Sequence, residues 1–403
     1  MKKQLLAFAF MSVLILLSAY SCGGEDSDEE NEEIPGTVFA TYNTGLALGY
    51  VSYAPEREPL IGEALAGLEA DVICLQEVWT EDSAKALIAA ADAGFKYSWY
   101  ELTLEESTGP GEPACTDEEA DPLESCVDEF CSDVDAANIT GCVLQNCADA
   151  FGALSQECSG CVVANIGKSV DEILAICKEG TEGSAGEFAY EGHNGLLLLS
   201  KYELKNPEFK TFESYLNRRV VLNAEITIED GTRTADVFCT HLTANLSDVN
   251  YAGEYDSWAA EQAMQIDGLI AYIDEQTDEE HVAVLMGDLN CGPEMTDVVD
   301  ELPENYAKFT DAGFIDPYVE SEASECTWCA ENPLTGNDAV NNVIDHVMFK
   351  GVTDGLDYEV KRLFDQPVEI DSDGETVTSR LSDHYGVSVK LPSLYPDISG
   401  DSK

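Results

Sequence analysis

Short apolar or alternating segments recur from about residue 37 to residue 391, and they predict β-strands. β-Branched and aromatic residues are frequent in them, and Gly, Asn or Asp bounds most of them, as is typical of strands. The predicted strands cover residues 37–43, 71–77, 195–202, 219–228, 235–242, 281–289, 343–350 and 385–391.

Amphipathic segments with helical spacing lie between these strands, at residues 58–68, 81–91 and 256–273. The last is the longest, and its apolar positions fall on one broad face from Trp258 to Ile273. Because helices and strands alternate at both ends of the chain, the pattern predicts a layered α/β fold.

Residues 103–190 interrupt that pattern. They are acidic and poor in strand signals, and eight of the fourteen cysteines lie between Cys115 and Cys177. Cysteines that lie 3 to 16 positions apart predict short helices joined by disulfides, inserted into an α/β domain that spans residues 37–392. A metal cluster is the weaker alternative, because no histidine lies among these cysteines.

The remaining cysteines allow two further pairing hypotheses. Cys326 and Cys329 form a CxxC motif, which we interpret as a disulfide that rigidifies a loop rather than as a redox site. Cys291 directly follows Asn290, and its pairing into the same region is the alternative.

The first 22 residues have the pattern of an export signal. Lys2 and Lys3 precede an apolar run at residues 5–17, which is too short to span a membrane. Cys22 follows small residues, and the segment resembles a bacterial lipoprotein signal with an acylated cysteine; an ordinary cleaved signal is the alternative. We therefore expect an exported protein, anchored by lipid at the cell surface or outer membrane, or released. Residues 23–36 are predicted to form an acidic flexible tether, and residues 393–403 a tail.

The formal net charge of −59 opposes electrostatic attraction to nucleic acid, which normally supplies much of the affinity for a phosphate backbone. Five basic residues nevertheless cluster in the sequence, and they could meet nucleic acid, phospholipid headgroups or surface acids. They are Lys201, Lys205, Lys210, Arg218 and Arg219.

Polar residues suited to catalysis recur at the ends of the predicted strands. Strand ends that share one edge of a sheet form a natural crevice. Carboxylates and a carboxamide there suit a hard cation such as Mg²⁺, and histidines suit phosphate binding and proton transfer. The residues are Asn43, Glu77, His241, Asp288, Asn290, Asp345, Asp383 and His384.

The ordered motifs TYN, LQE, THL, GDLN, IDH and SDH resemble those of the endonuclease/exonuclease/phosphatase superfamily. The resemblance covers residues 37–392 apart from the cysteine-rich insertion. It implies a four-layer α/β sandwich, with two mixed sheets packed face to face between outer helices. It also implies hydrolysis of phosphoesters that depends on Mg²⁺ or on another divalent cation such as Mn²⁺ or Ca²⁺.

The resemblance also implies roles. Glu77 is expected to be the principal metal ligand with Asn43 beside it, and Asp383 to orient a second ion or the metal's water shell. Asp288 and Asn290 are expected to position water and phosphate. His241 is expected to contact a phosphate oxygen or to act as an acid near the leaving group. His384, held by Asp345, is expected to bind the phosphate or take the water's proton. Asn194 and Asn245 are expected to contact substrate.

Some of these residues have structural alternatives. Asn43 could cap a turn, and the Asp288–Asn290 run could be a turn. His193 is ambiguous between structure and site. We interpret His346 as structural and His281 as solvated.

The resemblance does not name the substrate. Three features favour a monomeric phosphodiesterase of sphingomyelinase type. They are the expected lipid anchor, the large negative net charge, and the segments around THLTANL and NGLLLLSKYEL. An extracellular endonuclease like deoxyribonuclease I, a phosphomonoesterase and a non-catalytic surface-binding lipoprotein are the alternatives.

Overall fold

The computed structural model describes residues 36–393 apart from short gaps, and these residues fall within one unit, Pro35–Lys403. The predictions for the signal segment, for Cys22 and for most of the tether and tail lie outside the described residues. None of the described helices is long and apolar enough to cross a membrane. The gaps are residues 103–109, 133, 135–138, 167, 182, 185–187, 229–230, 247–250, 252, 322–324, 337–338, 354 and 373.

The first sheet has the strand order β10-β13-β1-β2-β4-β3. β1 pairs in parallel with β2 and antiparallel with β13, so the sheet is mixed. Its strands are β1 (Gly36–Asn43), β2 (Val72–Gln76), β3 (Tyr97–Trp99), β4 (Leu197–Ser200), β10 (Glu359–Leu363) and β13 (Gly386–Pro392).

The second sheet has the order β5-β6-β7-β8-β9, in which β7 and β8 run parallel and the other pairs are antiparallel. A separate two-stranded ribbon pairs β11 with β12. The strands are β5 (Lys205–Phe212), β6 (Arg219–Ile228), β7 (Arg233–His241), β8 (Val282–Asp288), β9 (Asp345–Lys350), β11 (Val368–Ser372) and β12 (Glu375–Ser379).

The two sheets pack face to face, and helices cover their outer faces. The inner layer joins side chains such as Phe39 and Leu198 of the first sheet to Leu222 and Val284 of the second. Helices α1 (Ala54–Ala66) and α2 (Glu81–Ala91) cover the first sheet. Helices α8 (Trp258–Gln276) and α9 (Pro303–Asp311) cover the second, and the short α10 (Pro317–Glu320) follows. The predicted four-layer α/β sandwich is confirmed.

Five short helices follow β3 and form the cysteine-rich insertion. They are α3 (Asp117–Phe130), α4 (Ile139–Asn146), α5 (Ala148–Gly152), α6 (Gln156–Ala164) and α7 (Val170–Glu179). Four disulfides join them: Cys115–Cys158, Cys126–Cys147, Cys131–Cys142 and Cys161–Cys177. The prediction of short helices held by disulfides is confirmed.

One disulfide crosses the core. Cys74 of β2 and Cys239 of β7 are fully buried and join the two sheets across 165 residues of sequence. Cys326 pairs with Cys329, as predicted. The alternative pairing of Cys291 is wrong, since this thiol is free and buried beneath the second sheet's outer helices.

The sequence pattern did not predict the edge strands β5 and β10. β5 is exposed at six of its eight positions, and β10 carries Glu359, Lys361 and Arg362. An edge strand buries little apolar surface, so its sequence lacks the alternation that marks a half-buried strand.

Candidate active site

Strand register brings the catalytic candidates of the second sheet into one row. His241 at the end of β7 lies opposite Asp288 at the end of β8, and Asp288 lies opposite Asp345 at the start of β9. In the first sheet, Asn43 ends β1 opposite Gln76, which precedes Glu77. Because the sheets pack face to face, the two rows meet at one edge of the sandwich.

Two residues leave their strands in a left-handed conformation. Glu77 has φ 59° and Asn290 has φ 49°, values that non-glycine residues adopt rarely and usually where the surroundings hold them. Tertiary contacts hold Asn290: its amide N–H donates to Asp288 Oδ1 at 2.9 Å, and its side-chain Nδ2 donates to the Leu242 carbonyl at 3.0 Å. The turn therefore sets the direction of the Asn290 side chain.

Asn43 lies at the centre of the polar cluster and is fully buried. Its Nδ2 donates to Asp288 Oδ2 at 2.9 Å and to Glu77 Oε1 at 3.1 Å, and it lies 3.5 Å from His384 Nε2. Its Oδ1 accepts from the Gly45 amide at 3.0 Å, which fixes the orientation of the carboxamide. Asn43 thus joins the carboxylates of the two sheets, a contact that a turn cap alone would not make.

His384 and Asp345 form a buried pair. His384 Nδ1 lies 2.9 Å from Asp345 Oδ2, which leaves Nε2 directed toward Asp288, 3.8 Å from its Oδ2. Burial lowers the pKa of His384, but the carboxylates of Asp345 and Asp288 outweigh it and raise the pKa well above its ordinary value. The raised pKa favours the charged form of His384, which is suited to binding or protonating a phosphate oxygen.

His241 has the opposite character. Burial, together with the positive charges of Arg219 and His384, lowers the pKa of His241 well below its ordinary value. Its Nε2 lies 3.5 Å from Asp288 Oδ2, and its buried Nδ1 has no hydrogen-bond partner. His241 is therefore neutral at pH 7, so the two histidines of the site differ in charge.

Arg219, at the start of β6, brings a guanidinium to the same cleft. The residue is only 6% exposed, and its Nε and Nη1 are buried without a hydrogen-bond partner. Burial lowers the pKa of Arg219 to about 10, although the carboxylates of Asp288 and Glu77 oppose this. A buried, unsatisfied guanidinium beside two histidines fits a phosphate oxygen, because charge-assisted hydrogen bonds would satisfy it.

The acidic side chains of the site fit a divalent cation. Ligand atoms of Asp288, Asp345 and His384 lie within 4.8 Å of one another. Burial, followed by the charge of Asp345, raises the pKa of Asp288 to about 7, and burial, followed by the charge of Asp383, raises that of Glu77. Buried carboxylates that repel one another in this way are the donors that a hard cation would stabilise.

Asp383 lies at the rim of this cluster rather than in a last strand. It precedes β13, and its Oδ1 accepts a hydrogen bond from Ser382 Oγ at 3.0 Å. The backbone of Gly45, at φ +55°, passes so close that a Cβ there would lie 2.4 Å from Asp383 Oδ1. Only glycine fits this approach of the β1 turn to the carboxylate.

A cleft of about 440 Å³ opens over these residues. Glu77, His241, Asp288, Asn290, Asp383 and His384 line it, whereas Asn43 and Asp345 lie behind them. Six aromatic residues form much of the wall: Tyr50, Trp79, Tyr190, Tyr215, Trp258 and Trp328. Among the described residues, Arg219 is the one lysine or arginine that lines the cleft.

The cysteine-rich insertion supports part of this wall. Tyr190 stacks on Trp79 with ring centroids 4.6 Å apart, and its hydroxyl donates to the Leu48 carbonyl at 3.2 Å. Val163 and Ile166, at the end of α6, pack against the same apolar cluster. The insertion is therefore continuous with the aromatic side of the cleft.

The two predicted substrate contacts have different surroundings. Asn245 lines the cleft, where its Nδ2 donates to Glu301 Oε1 at 3.1 Å. Asn194 does not line the cleft: its side chain is 1% exposed, donates to the backbone of Glu101 and Leu102, and accepts from Leu196 N–H. Asn194 holds the entry to β4 instead.

The other histidines are structural. His346 is fully buried between Asp316 and the Cys291 carbonyl, so the structural interpretation is confirmed. His281 is half-buried and bonded to Asp236 at 2.9 Å, so the expectation that it is solvated is wrong. His193 does not line the cleft, and its Nδ1 lies 2.7 Å from the Trp79 carbonyl.

The basic cluster of the sequence does not form a single patch. Lys201 pairs with Asp71 and Lys205 with Glu225, and the guanidinium of Arg218 lies over the ring of Phe188. Arg219 alone enters the cleft. The pleat at the start of β6 separates Arg219 from Arg218, because adjacent residues of a strand point to opposite faces.

Sequence reasoning missed the individual importance of Arg219, Trp79 and Trp328. The sequence contained one signal for Arg219. It is the first residue of a strand whose next three residues are apolar, so its side chain was to be expected in a buried setting. Trp79 and Trp328 carry no local signal, because only the packing of distant loops makes them neighbours of the cleft.

Comparisons with known proteins agree with this geometry. A model of the endonuclease/exonuclease/phosphatase family matches residues 40–384. The sequence matches no curated protein. Among solved structures, the fold is similar to SmcL (TM-score 0.54, 13% identity, 88% of this chain and 98% of that chain).

Two further structures share the fold. A beta toxin from Staphylococcus aureus, solved with bound magnesium ions, has a TM-score of 0.53 at 12% identity, covering 88% of this chain and 99% of that chain. Sphingomyelinase C from Streptomyces griseocarneus has a TM-score of 0.50 at 17% identity, with 88% and 99% covered.

Proposed function

The chain belongs to the endonuclease/exonuclease/phosphatase family, and on that premise we propose that it is a divalent-metal-dependent phosphodiesterase of sphingomyelinase type. One observation carries the proposal. The cleft joins a phosphate-directed cluster to an aromatic wall and contains a single basic side chain among the described residues, Arg219.

This composition disfavours a nucleic acid. Proteins that bind DNA neutralise several phosphates with lysines and arginines, and the affinity of a nuclease depends on these contacts. Here one arginine serves one phosphate, and the whole chain carries a net charge of −59. A phosphodiester that carries an uncharged or cationic organic group fits better, because aromatic faces attract quaternary ammonium ions.

The side chains divide the chemistry between them. The residues that would hold Mg²⁺, or Mn²⁺ or Ca²⁺ in its place, are Glu77, Asp383 and Asp288, with Asn43 beside Glu77. A cation bound there would neutralise charge on the phosphate oxygens and lower the pKa of water.

The remaining residues bind phosphate and move protons. His384, positively charged through its pair with Asp345, donates from Nε2 to a phosphate oxygen or to the leaving group. Asp288, beside the cation, and Asn290, whose amide N–H donates to Asp288, would position the attacking water. Arg219 and neutral His241 stabilise the negative charge that develops on phosphorus-bound oxygens.

The cellular location we propose suits a lipid substrate. Six disulfides among the described residues indicate an oxidising compartment, as in exported proteins. We propose that lipid on Cys22 holds a monomeric enzyme at the bacterial surface or outer membrane, with the tether at residues 23–36 allowing the cleft to reach headgroups.

The proposal is tested by parallel assays of the purified protein with Mg²⁺. Sphingomyelin vesicles, supercoiled plasmid DNA and p-nitrophenyl phosphate represent the lipid, nuclease and phosphomonoesterase activities. We expect hydrolysis of sphingomyelin to dominate. Faster nicking of plasmid DNA or faster cleavage of the monoester would replace the proposal with the corresponding alternative.

A matched pair of variants tests the site. Glu77→Gln should lose turnover, because it removes a carboxylate from the proposed cation site. Glu63→Gln makes the same change on the exposed face of α1, and it should retain wild-type rates. Equal activities of the two variants would contradict the role of Glu77.

A further inference from the structure

The CxxC loop lies directly behind the pair formed by Asp345 and His384. Thr327, between the two cysteines, is fully buried. Its Oγ1 accepts hydrogen bonds from the backbone N–H groups of Ile344 at 3.1 Å and Asp345 at 3.2 Å. Its carbonyl accepts from the Tyr385 N–H at 2.8 Å, so one residue holds the backbone beside both members of the pair.

Trp328 contacts the same pair from the cleft side. Its backbone forms isolated bridges with Asn342 and with His384. Its ring meets the His384 imidazole edge to face, with centroids 4.8 Å apart. Because Trp328 also lines the cleft, the loop limits the positions that the imidazole can take.

The disulfide and one arginine fix the loop from behind. Cys326 and Cys329 are 7% and 0% exposed, and their bond closes the turn that carries Thr327. Arg362 Nη1 donates to the Cys326 carbonyl at 3.2 Å, and the guanidinium stacks over the Tyr385 ring at 4.6 Å. The disulfide and Arg362 therefore hold the turn in place while Thr327 supports Asp345.

We propose that residues 326–329 form a positioning element for the Asp345–His384 pair, with Thr327 as the positioning residue and the Cys326–Cys329 disulfide as its clamp. The inference rests on the proposed function, since it concerns the same site. The imidazole must present Nε2 to the phosphate, and Asp345 orients it through Nδ1. Without the Thr327 hydroxyl, two buried amide groups lose their acceptor and the start of β9 must shift.

Three variants test the role of the hydroxyl. Thr327→Val keeps the shape but removes the acceptor, and it should lower kcat about 10- to 100-fold with little change in KM. Thr327→Ser restores the acceptor, and its kcat should stay within about 3-fold of wild type. Ser200→Ala is the control, because it removes a buried hydroxyl that accepts the Tyr202 N–H at the end of β4, opposite to the site. Its kcat should not change.

A second pair tests the clamp. The double variant Cys326→Ala/Cys329→Ala should lower kcat about 10-fold. When Thr327→Val is added to it, the total loss of kcat should be smaller than the product of the losses measured separately, because both changes act on one turn. Cys131→Ala combined with Cys142→Ala removes another short-range disulfide, in the insertion, and should leave kcat unchanged. Full activity of Thr327→Val, or an equal loss in Thr327→Ser, would overturn the proposal.

Crystal structures separate this inference from the proposed function. In wild type, His384 Nδ1 and Asp345 Oδ2 lie 2.9 Å apart, and Thr327→Val should lengthen this distance by about 0.5 Å or more, whereas Ser200→Ala should not. If the wild type hydrolysed no phosphoester, the proposed function would fail, and this distance would still decide the positioning role. An unchanged distance in Thr327→Val would refute that role.

Discussion

Replacing Asp288 with asparagine should change how the stability of the metal-free protein depends on pH. Burial, followed by the charge of Asp345, raises the pKa of Asp288 from 3.8 to about 7 in the folded state. The folded protein therefore holds this proton more tightly than the unfolded chain. The resulting contribution to stability is complete below about pH 4 and is lost as the pH rises through 7.

The size of the effect follows from the two pKa values. Each pH unit between them costs about 1.4 kcal/mol, so raising the pH from about 5 to about 8 should cost wild type about 3 kcal/mol at Asp288. Asparagine does not titrate. As the pH rises from about 5 to about 8, the free energy of unfolding of Asp288→Asn should therefore increase by about 3 kcal/mol relative to that of wild type. For a domain of this size this corresponds to about 4 °C in Tm.

Thermal unfolding followed by circular dichroism, in EDTA at several pH values, measures this difference. Ser200→Ala is the control, because its stability relative to wild type should not vary with pH. Mg²⁺ should raise the Tm of wild type more at about pH 8 than at about pH 5, since a cation competes with the proton, and it should raise the Tm of Asp288→Asn far less. A pH-independent difference, or equal protection of both proteins by Mg²⁺, would refute the reasoning.

Two further predictions concern the phosphate site and the core. Arg219→Met should lower turnover of a model phosphodiester about 100-fold or more while the protein stays folded. Arg219→Lys should keep only part of the wild-type turnover, because lysine lacks the guanidinium fork. Near-normal turnover of Arg219→Met would contradict the role of Arg219. Joint replacement of Cys74 and Cys239 by alanine should lower the free energy of unfolding by about 4 kcal/mol, since their bond closes a loop across 165 residues. Guanidinium unfolding measures this loss, and an unchanged midpoint would contradict it.

Much of the fold could be read from local pattern. Buried strands such as β6 and β8 are rich in apolar residues, and α2 begins and ends where its periodicity predicts. The edge strands β5 and β10 were missed, because an exposed edge is recognised only by its pairing with a neighbour. The short helices of the insertion were predicted as a class, but their disulfide pairing was not, since many connectivities satisfy the same spacings.

The candidate site was predicted in its chemistry but not in its arrangement. Sequence motifs identified Asn43, Glu77 and Asp288 as residues of one cluster, because the motifs occur together in one order and end strands that share a sheet edge. They also included Asn194, which does not line the cleft and whose carboxamide contacts the backbone of the preceding loop. The motif resembled a substrate contact, and only the path of residues 101–102 shows that the side chain is satisfied internally.

Residue types and near spacing were enough to predict the buried strands, the main helices, the disulfide-rich insertion as a class and the kind of chemistry. The tertiary structure alone decided which side chains meet. The register of β7, β8 and β9 places His241, Asp288 and Asp345 in one row. Sheet packing brings Arg219 to the cleft, and Trp328 of the CxxC loop contacts His384, which lies 56 positions later in the sequence. Such contacts depend on the closure of long loops, which no local pattern encodes.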